Sequence, residues 1–154
     1  MRNVIVWGAA GGIGRAFVEA VADTCDAVVA VARDASPLRA VTPYVIDADL
    51  ADPIAVARAM ETSSSVAESF DLAVVAVGDI ASARVIDMDM PTWRRLVENN
   101  LTTAFLTIQA TTPHLAPGAT LVVIGAVHER LRLPGLGAYA ATKAAIETYA
   151  DAWR

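Results

Sequence analysis

The stretch Val4-Ile5-Val6-Trp7-Gly8-Ala9-Ala10-Gly11-Gly12-Ile13-Gly14 decides the fold of this chain. Its first three residues are apolar and β-branched, which predicts a short buried strand. Gly8, Gly12 and Gly14 mark the turn that follows, and apolar residues then recur at the spacing of a helix. Glycines let the backbone approach a ligand closely, and a helix N-terminus presents unpaired N–H groups to an anion. The stretch therefore predicts a site for the pyrophosphate of a dinucleotide, with a glycine-rich turn that binds nothing as the alternative.

The composition predicts one domain over residues 1–154, because 154 residues that are 55% hydrophobic can bury one sizeable core. A net charge of −5 without any basic run argues against a nucleic-acid partner. The single cysteine, Cys25, excludes an internal disulfide, and the predicted first strand leaves no room for a signal peptide. No apolar run approaches the roughly 18 residues that span a bilayer. We therefore expect a cytoplasmic protein with neither nucleic acid nor membrane as a partner.

Strand and helix patterns alternate along the chain. Apolar runs predict four more buried strands, at residues 27–32, 44–46, 72–77 and 120–124. Helices are expected from Asp52-Pro53, from Pro91 and near Ala138, and the serines at 63–65 predict a polar break. Right-handed βα units imply an α/β fold, a doubly wound parallel sheet with helices on both faces. In the strand order 3-2-1-4-5, a ligand crevice lies at the carboxyl ends of strands one and four.

The C-terminal residues lack the features of a completed fold. Residues 149–154 continue a helical pattern with no C-cap signal. Residues 121–124 predict a strand buried on both sides, yet a fifth and last strand would be an edge with unpaired backbone groups. We therefore expect the natural protein to be longer than this chain and to add further strands.

Two motifs near opposite ends of the chain point to one family. The N-terminal glycines do not fit G-x-G-x-x-G, because Phe17 occupies the third glycine position, but they fit G-x-x-x-G-I-G. Tyr139 and Lys143 are four residues apart in the last predicted helix, which places a phenol and an ammonium on one face. Y-x-x-x-K alone occurs by chance in many helices, but here it follows the fifth strand and its loop. Together the motifs resemble the short-chain dehydrogenase/reductase family, which has a Rossmann-type sheet.

The resemblance implies roles for three catalytic candidates. In that family the tyrosine exchanges a proton with the substrate oxygen and the lysine binds the nicotinamide ribose, which assigns these roles to Tyr139 and Lys143. A tyrosine with a pKa of about 10 is a poor acid or base at neutral pH, and a nearby cation lowers that pKa. Asn100, chosen over Asn99 because Leu101 follows it, matches the asparagine that helps to hold a water in the proton relay. A surface asparagine is the alternative.

The resemblance also implies a set of cofactor contacts. The expected cofactor-binding residues are Gly8, Gly12, Ile13, Gly14, Arg33, Asp49, Leu50 and Gly78, besides Tyr139 and Lys143. Asp49-Leu50 matches the adenine contact after strand three, with a solvated aspartate ahead of a turn as the alternative. Strand two ends in Ala32-Arg33 without an acid for the ribose 2′-hydroxyl of NAD, and an arginine there accommodates a 2′-phosphate. We therefore expect NADP rather than NAD, although Gly11 stands where many NADP-preferring members have a second basic residue.

The sequence departs from the family at two places. The family's Asn-Asn-Ala-Gly after strand four is Val75-Ala76-Val77-Gly78 here, so only the glycine is kept. The family's catalytic serine, thirteen residues before the tyrosine, is Ala126. One missing donor of this kind costs about 2.7–4 kcal/mol of transition-state stabilisation. His128 lies near the gap and is a weak candidate for a replacement donor, a solvated loop histidine being the alternative. Two distant histidines and one cysteine offer no metal site.

These observations favour an NADP-dependent oxidoreductase that moves a hydride between nicotinamide and a small-molecule carbonyl or alcohol, weakened by Ala126. The alternative is a non-catalytic NADP-binding module, a redox sensor or scaffold. The substrate stays open, since the family holds it largely with a segment after strand six. In the family two helices pair with their copies, so we expect a homodimer or homotetramer. The apolar residues expected at that interface are Phe105, Ile108, Ala145, Ile146 and Tyr149.

Overall fold

Five parallel strands form one sheet in the order β3-β2-β1-β4-β5. The computed structural model describes residues 2–127 and 133–152. The strands are β1 Asn3–Trp7, β2 Ala27–Ala32, β3 Val45–Asp47, β4 Phe70–Val75 and β5 Leu115–Val123. Trp7 is in register with Val31 on one side and Val75 on the other, so the central strands end at one level. The predicted strand order and the doubly wound α/β fold are confirmed.

Helices cover both faces of this sheet. They are α1 Gly12–Val21, α2 Pro53–Ser64, α3 Met90–Val97, α4 Thr103–Thr111 and α5 Gly137–Ala152, and a π-helical segment, Glu98–Thr102, joins α3 to α4. Val18 of α1 packs on Val4 and Val6 of β1, whereas α2, α4 and α5 pack on the opposite face with Ile5 and Trp7. Alternate residues of β1 thus fill a core on each side of the sheet. None of the helices in the described ranges has the length and apolarity to cross a membrane.

Local sequence signals set the start of two helices. Asp52 caps α2, where its carboxylate accepts a hydrogen bond from the Ile54 N–H at 2.8 Å, and Pro53 is the first helical residue, as predicted. Asp89 caps α3 in the same way, accepting from the Thr92 N–H at 2.6 Å. This hydrogen bond holds the pKa of Asp89 below its usual value. Both helices therefore begin where a short acidic side chain can satisfy their first N–H groups.

The polar break predicted at residues 63–65 begins two residues later than expected, because α2 continues to Ser64 and Ser65 is its C-cap. The Ser63 hydroxyl donates to the Ala59 carbonyl at 2.7 Å, and the Ser64 hydroxyl donates to the Met60 carbonyl at 3.0 Å. Each hydroxyl is satisfied by the preceding turn of its own helix, so the serines do not compete with the helical backbone bonds.

The bounds of β4 and β5 differ from the predicted ones. β4 begins and ends two residues earlier than expected, and β5 begins at Leu115 rather than at Thr120. Leu115 is in register with Phe70, but the next pair is Thr120 with Leu72, so more residues lie on β5 than on its partner. The extra residues include Pro117-Gly118, which turn the chain inside the strand instead of preceding it.

β5 is not buried on both sides within the described residues, which corrects the expectation for 121–124. Leu121 and Val123 pack on the core under α2, α4 and α5, but Val122 on the other face is 36% exposed. The apolar cluster under α1 includes no residue of β5, so nothing described covers that face of the strand. Within residues 2–127 and 133–152, β5 pairs only with β4.

Two residues expected at a subunit interface belong to the core of this chain. Ile108 of α4 and Ile146 of α5 are almost completely buried, because both belong to the apolar core on this face of the sheet. Phe105 remains 38% exposed and makes an edge-to-face contact with Tyr149, with ring centroids 5.8 Å apart. The outward apolar surface of these helices is therefore smaller than predicted.

Candidate active site

A cleft of about 700 Å³ lies at the carboxyl ends of β1, β2 and β4. Five of the predicted cofactor-binding residues line it, namely Gly8, Arg33, Asp49, Leu50 and Gly78. Gly11 lines it as well and directly precedes Gly12, the first residue of α1. The cleft is large enough for a cofactor-sized ligand. It lies beyond the carboxyl ends of the central strands β1 and β4, where the strand order reverses.

The glycines of the first turn have distinct structural tasks. Gly8 has a φ of +79°, and a Cβ on it would lie 2.7 Å from the Ala76 carbonyl oxygen. A Cβ on Gly14 would lie 2.4 Å from the Gly8 carbonyl oxygen, so Gly14 lets α1 pack directly on the turn. Gly12 has open space where a Cβ would be, and Ile13 beside it is 60% exposed. Gly14 thus shapes the turn, whereas Gly12 and Ile13 leave its outer surface accessible.

Arg33 lies exposed at the end of β2 and lines the cleft. No ion pair of Arg33 is found among the residues that the structure describes. The neighbouring Asp34 accepts hydrogen bonds from the Ser36 hydroxyl and the Ser36 N–H, which lower the pKa of that carboxyl. Asp34 is thereby held in its own turn, and the guanidinium of Arg33 is available to an anion in the cleft.

Asp49 and Leu50 follow β3 and contribute in different ways. Asp49 is exposed in the cleft, and its carboxylate accepts a hydrogen bond from the Ala51 N–H at 3.1 Å. Leu50 is buried against the core while lining the cleft. The pair therefore presents one polar and one apolar surface to a ligand.

Asn100 is a buried residue and not the surface asparagine of the alternative interpretation, since none of it is exposed. Its side-chain oxygen accepts from the Asp79 N–H at 2.6 Å, and its amide nitrogen donates to the Asp79 carbonyl at 2.9 Å. The same nitrogen lies 3.0 Å from the Thr142 hydroxyl, which donates to the Tyr139 carbonyl at 2.7 Å. Asn100 lies in the π-helical segment, a distortion that often accompanies functional sites. It connects the turn after β4 to the helix that carries Tyr139.

Lys143 is 4% exposed, and its ammonium is held between the segments that follow two neighbouring strands. Its ammonium donates to the Val77 carbonyl at 3.0 Å and to the Ile124 carbonyl at 3.1 Å, beyond the ends of β4 and β5. Burial lowers the pKa of this ammonium. A Cβ on Gly78 would lie 2.9 Å from the Lys143 nitrogen, so a side chain there would displace the ammonium. Tyr139, one helical turn earlier, is half-buried.

The sequence analysis does not identify Asp79 and Arg95 as site residues, yet their ion pair stabilises the turn after β4. The Asp79 carboxylate pairs with the Arg95 guanidinium and accepts from the Asn99 amide at 3.3 Å. Arg95, Asn99 and Thr103 are spaced four residues apart and all line the cleft. This spacing beside Asn100 is the signal that sequence reasoning could have used. The turn after β4 is therefore braced by an ion pair and by Asn100, without the asparagines that the family usually has there.

Comparison with known proteins places this arrangement in a family. A sequence model of the short chain dehydrogenase family matches residues 2–154. The chain belongs to this family. A short-chain dehydrogenase/reductase from Serratia marcescens is 25% identical, with a TM-score of 0.85 over 94% of this chain and 64% of that one. Aldohexose dehydrogenase from Thermoplasma acidophilum is also 25% identical, with a TM-score of 0.84 over 94% of this chain and 57% of that one. The chain thus spans less than two thirds of the length of these structures.

Membership in the short-chain dehydrogenase family confirms the resemblance drawn from the two motifs. The family is generally one of oxidoreductases that use NAD or NADP on small molecules, and this chain has its oxidoreductase fold. The residues that the structure describes contain no group of three His, Cys, Asp or Glu side chains able to hold a metal ion.

The sequence predicts that Ala126 stands at the position of the family's catalytic serine. Ala126 is half-buried and lies two residues after Ile124, whose carbonyl contacts Lys143. Its methyl side chain carries no hydrogen-bond donor. His128, the candidate for a replacement donor, lies outside the described residues.

Proposed function

We propose that this chain is an NADP-dependent oxidoreductase that interconverts a small-molecule carbonyl and its alcohol. The observation that carries the proposal is the connection of Tyr139, Lys143 and Asn100 through Thr142 and the turn after β4. The bound nicotinamide would supply the hydride. Tyr139 would give its phenolic proton to the carbonyl oxygen during reduction and recover one from water. Lys143 would hold the nicotinamide ribose.

The residues of the cleft fit such a cofactor. Gly8 and Gly11 expose backbone at the start of α1, where a diphosphate would meet the N-terminal end of the helix. Asp49 and Leu50 would contact the adenine, and Arg33 would bind a ribose 2′-phosphate. Gly12 would allow close approach at the start of α1, and Ile13 would contact the cofactor through its exposed side chain. Gly14 and Gly78 would act by shaping the turns on which the cofactor lies.

Replacing Arg33 with alanine is expected to remove a preference for NADPH over NADH. A hydrogen bond to a charged group contributes about 1.5–3 kcal/mol, so NADPH should bind roughly ten- to a hundredfold more weakly while NADH binding is unchanged. Calorimetric titration of both nucleotides measures this. Arg39→Ala is the matched control, because Arg39 follows in the same region but faces Asp47 at 3.9 Å and does not line the cleft. Equal affinities in the parent, or an unchanged preference in Arg33→Ala, would contradict NADP selectivity.

A second candidate function is a non-catalytic NADP-binding module acting as a redox sensor or scaffold. Ala126 favours it, because the hydroxyl that the family places against the substrate oxygen is missing. The two functions are separated by following NADPH absorbance with a panel of ketones and aldehydes. Turnover that Tyr139→Phe abolishes supports the oxidoreductase, and nucleotide binding without turnover on any compound supports the module.

We also propose that the protein works in the cytoplasm as a homodimer or homotetramer. Phe105 on α4 is exposed and contacts the Tyr149 ring on α5, so the two side chains provide apolar surface on these helices. Phe105→Glu is expected to lower the mass measured by light scattering to that of one chain. Ile54→Glu, an exposed apolar residue of α2, is the control and should leave the mass unchanged. A parent chain that is already a monomer would contradict the proposal.

A further inference from the structure

Asp79, in the turn after β4, uses each of its polar groups within the residues that the structure describes. Its N–H donates to the Asn100 side-chain oxygen at 2.6 Å, and its carbonyl accepts from the Asn100 amide at 2.9 Å. One carboxylate oxygen accepts from the Ile80 N–H at 2.8 Å. The other oxygen pairs with the Arg95 guanidinium and accepts from the Asn99 amide at 3.3 Å. Side chains of α3 and of the π-helical segment therefore set the position of Asp79.

The two residues that precede Asp79 are in contact with the Lys143 ammonium. The Val77 carbonyl accepts a hydrogen bond from this ammonium at 3.0 Å. A Cβ on Gly78 would lie 2.9 Å from the Lys143 nitrogen and 3.1 Å from the Asn100 side-chain oxygen, so the Gly78 backbone lies close to both. Because the three residues of the turn are consecutive, a shift of Asp79 would move the carbonyl that holds the ammonium.

The ion pair between Asp79 and Arg95 lies in a turn that lacks the family's asparagines. Val75 and Ala76 stand at those positions, and neither offers a side-chain hydrogen bond. Arg95 and Asn99 are four residues apart on one helical face, and both contact the Asp79 carboxylate. The side chain of Arg95 is 47% exposed and that of Asp79 27% exposed, and both residues line the cofactor cleft. The ion pair therefore fixes the turn at the wall of the candidate site.

We propose that Asp79 and Arg95 are positioning residues that place the Lys143 ammonium against the nicotinamide ribose. Arg95 holds the Asp79 carboxylate. The backbone of Asp79 fixes Gly78, and the Val77 carbonyl then sets the place of the ammonium. Neither charged side chain has to contact the substrate or the reacting atoms. The inference rests on the proposed oxidoreductase function, because Lys143 has its role there.

The first test measures carbonyl reduction in variants that lack the ion pair. Asp79→Asn and Arg95→Gln should each lower kcat roughly tenfold without changing KM for the carbonyl compound, because a misplaced ammonium slows the chemical step. The double variant should be no slower than either single one, since both remove the same interaction. Arg95→Lys keeps the charge and should restore most of kcat. Arg94→Gln is the matched control, because Arg94 is exposed on the same helix but does not line the cleft.

The second test needs no turnover and locates the effect within the cofactor. Calorimetric titration compares NADPH with adenosine 2′,5′-bisphosphate, which lacks the nicotinamide and its ribose. Asp79→Asn and Arg95→Gln should each weaken NADPH binding roughly tenfold, because the ammonium loses its place against the ribose. Binding of the bisphosphate should be unchanged, since Arg33 and Asp49 are assigned to that end of the cofactor.

The possible results separate positioning from direct contact and from stability. Unchanged or tighter NADPH binding in Asp79→Asn, with weaker binding in Arg95→Gln, would overturn the inference, because Arg95 itself would then bind the cofactor. Weaker bisphosphate binding in either variant would also overturn it. A lower unfolding temperature of the nucleotide-free protein with unchanged kcat and NADPH affinity would show a purely structural ion pair. Weaker NADPH binding in both variants, with no carbonyl reduction by the parent, would support positioning and contradict the oxidoreductase function.

Discussion

Replacing Ala126 with serine is expected to raise carbonyl reduction by up to about a hundredfold. A positioned hydroxyl at the substrate oxygen stabilises the charge that develops there, and one such donor is worth about a hundred- to a thousandfold in rate. The backbone already approaches the site, since the carbonyl of Ile124 lies 3.1 Å from the Lys143 ammonium. Ala126 is only half-buried, so the added oxygen needs no repacking of the core.

The measurement is kcat/KM for a ketone, with the dissociation constant of NADPH determined in parallel. NADPH affinity should not change, because the hydroxyl acts on the substrate. Ala141→Ser, which adds the same hydroxyl on the exposed side of α5, should leave the rate unchanged. Tyr139→Phe should abolish activity in the parent and in the serine variant. If neither the parent nor Ala126→Ser turns over any carbonyl compound, the binding-module function is the correct one.

Local signals in the sequence were sufficient for the elements that decide the fold. The apolar run at β2 has the predicted bounds, and Asp52-Pro53 starts α2 as predicted, because each depends on neighbouring residues alone. The strand order follows from the parallel connections and the position of the glycine turn. Tyr139 and Lys143 could be singled out for the same reason, since their spacing is a property of one helix turn.

The sequence was less informative where distant residues decide the structure. Ile108 and Ile146 carry no local sign that they face their own core rather than a partner. The bulge of β5 depends on its register with β4. The brace formed by Asp79 and Arg95 joins a loop to a helix, and neither residue belongs to the family motif.

Buried polar residues illustrate the same limit. Thr103, Thr107 and Thr111 lie on the buried side of α4, although a polar stripe predicts solvent exposure. Their hydroxyls donate to carbonyls of the preceding turn, and the Thr111 oxygen also accepts from the Trp7 indole N–H at 2.8 Å. A threonine that is satisfied by its own helix can be buried at little cost, which composition alone does not indicate.

Gly14→Ala is expected to destabilise the protein by about 2–3 kcal/mol, a large effect for one methyl group. A Cβ at this position would be 2.4 Å from the Gly8 carbonyl oxygen and 2.9 Å from the Ala9 Cα, and both obstacles are backbone atoms. α1 would have to move away from the turn, which also disturbs the cofactor cleft. The helix propensity of alanine, about 1 kcal/mol better than glycine, offsets only part of the cost.

Gly12→Ala is the matched substitution two residues earlier. It should raise the stability of the chain but lower its affinity for NADPH. No atom lies within 4 Å of a Cβ at Gly12, so alanine should stabilise the chain by about 0.4–1 kcal/mol by restricting the unfolded state. NADPH should nevertheless bind at least tenfold more weakly, because the methyl group occupies space that the diphosphate needs at the start of α1. Thermal unfolding and calorimetric titration of both variants test the pair. If Gly12→Ala binds NADPH as the parent does, the cofactor does not approach this turn. If Gly14→Ala unfolds at the parent's temperature, the close contact between α1 and the turn does not stabilise the fold.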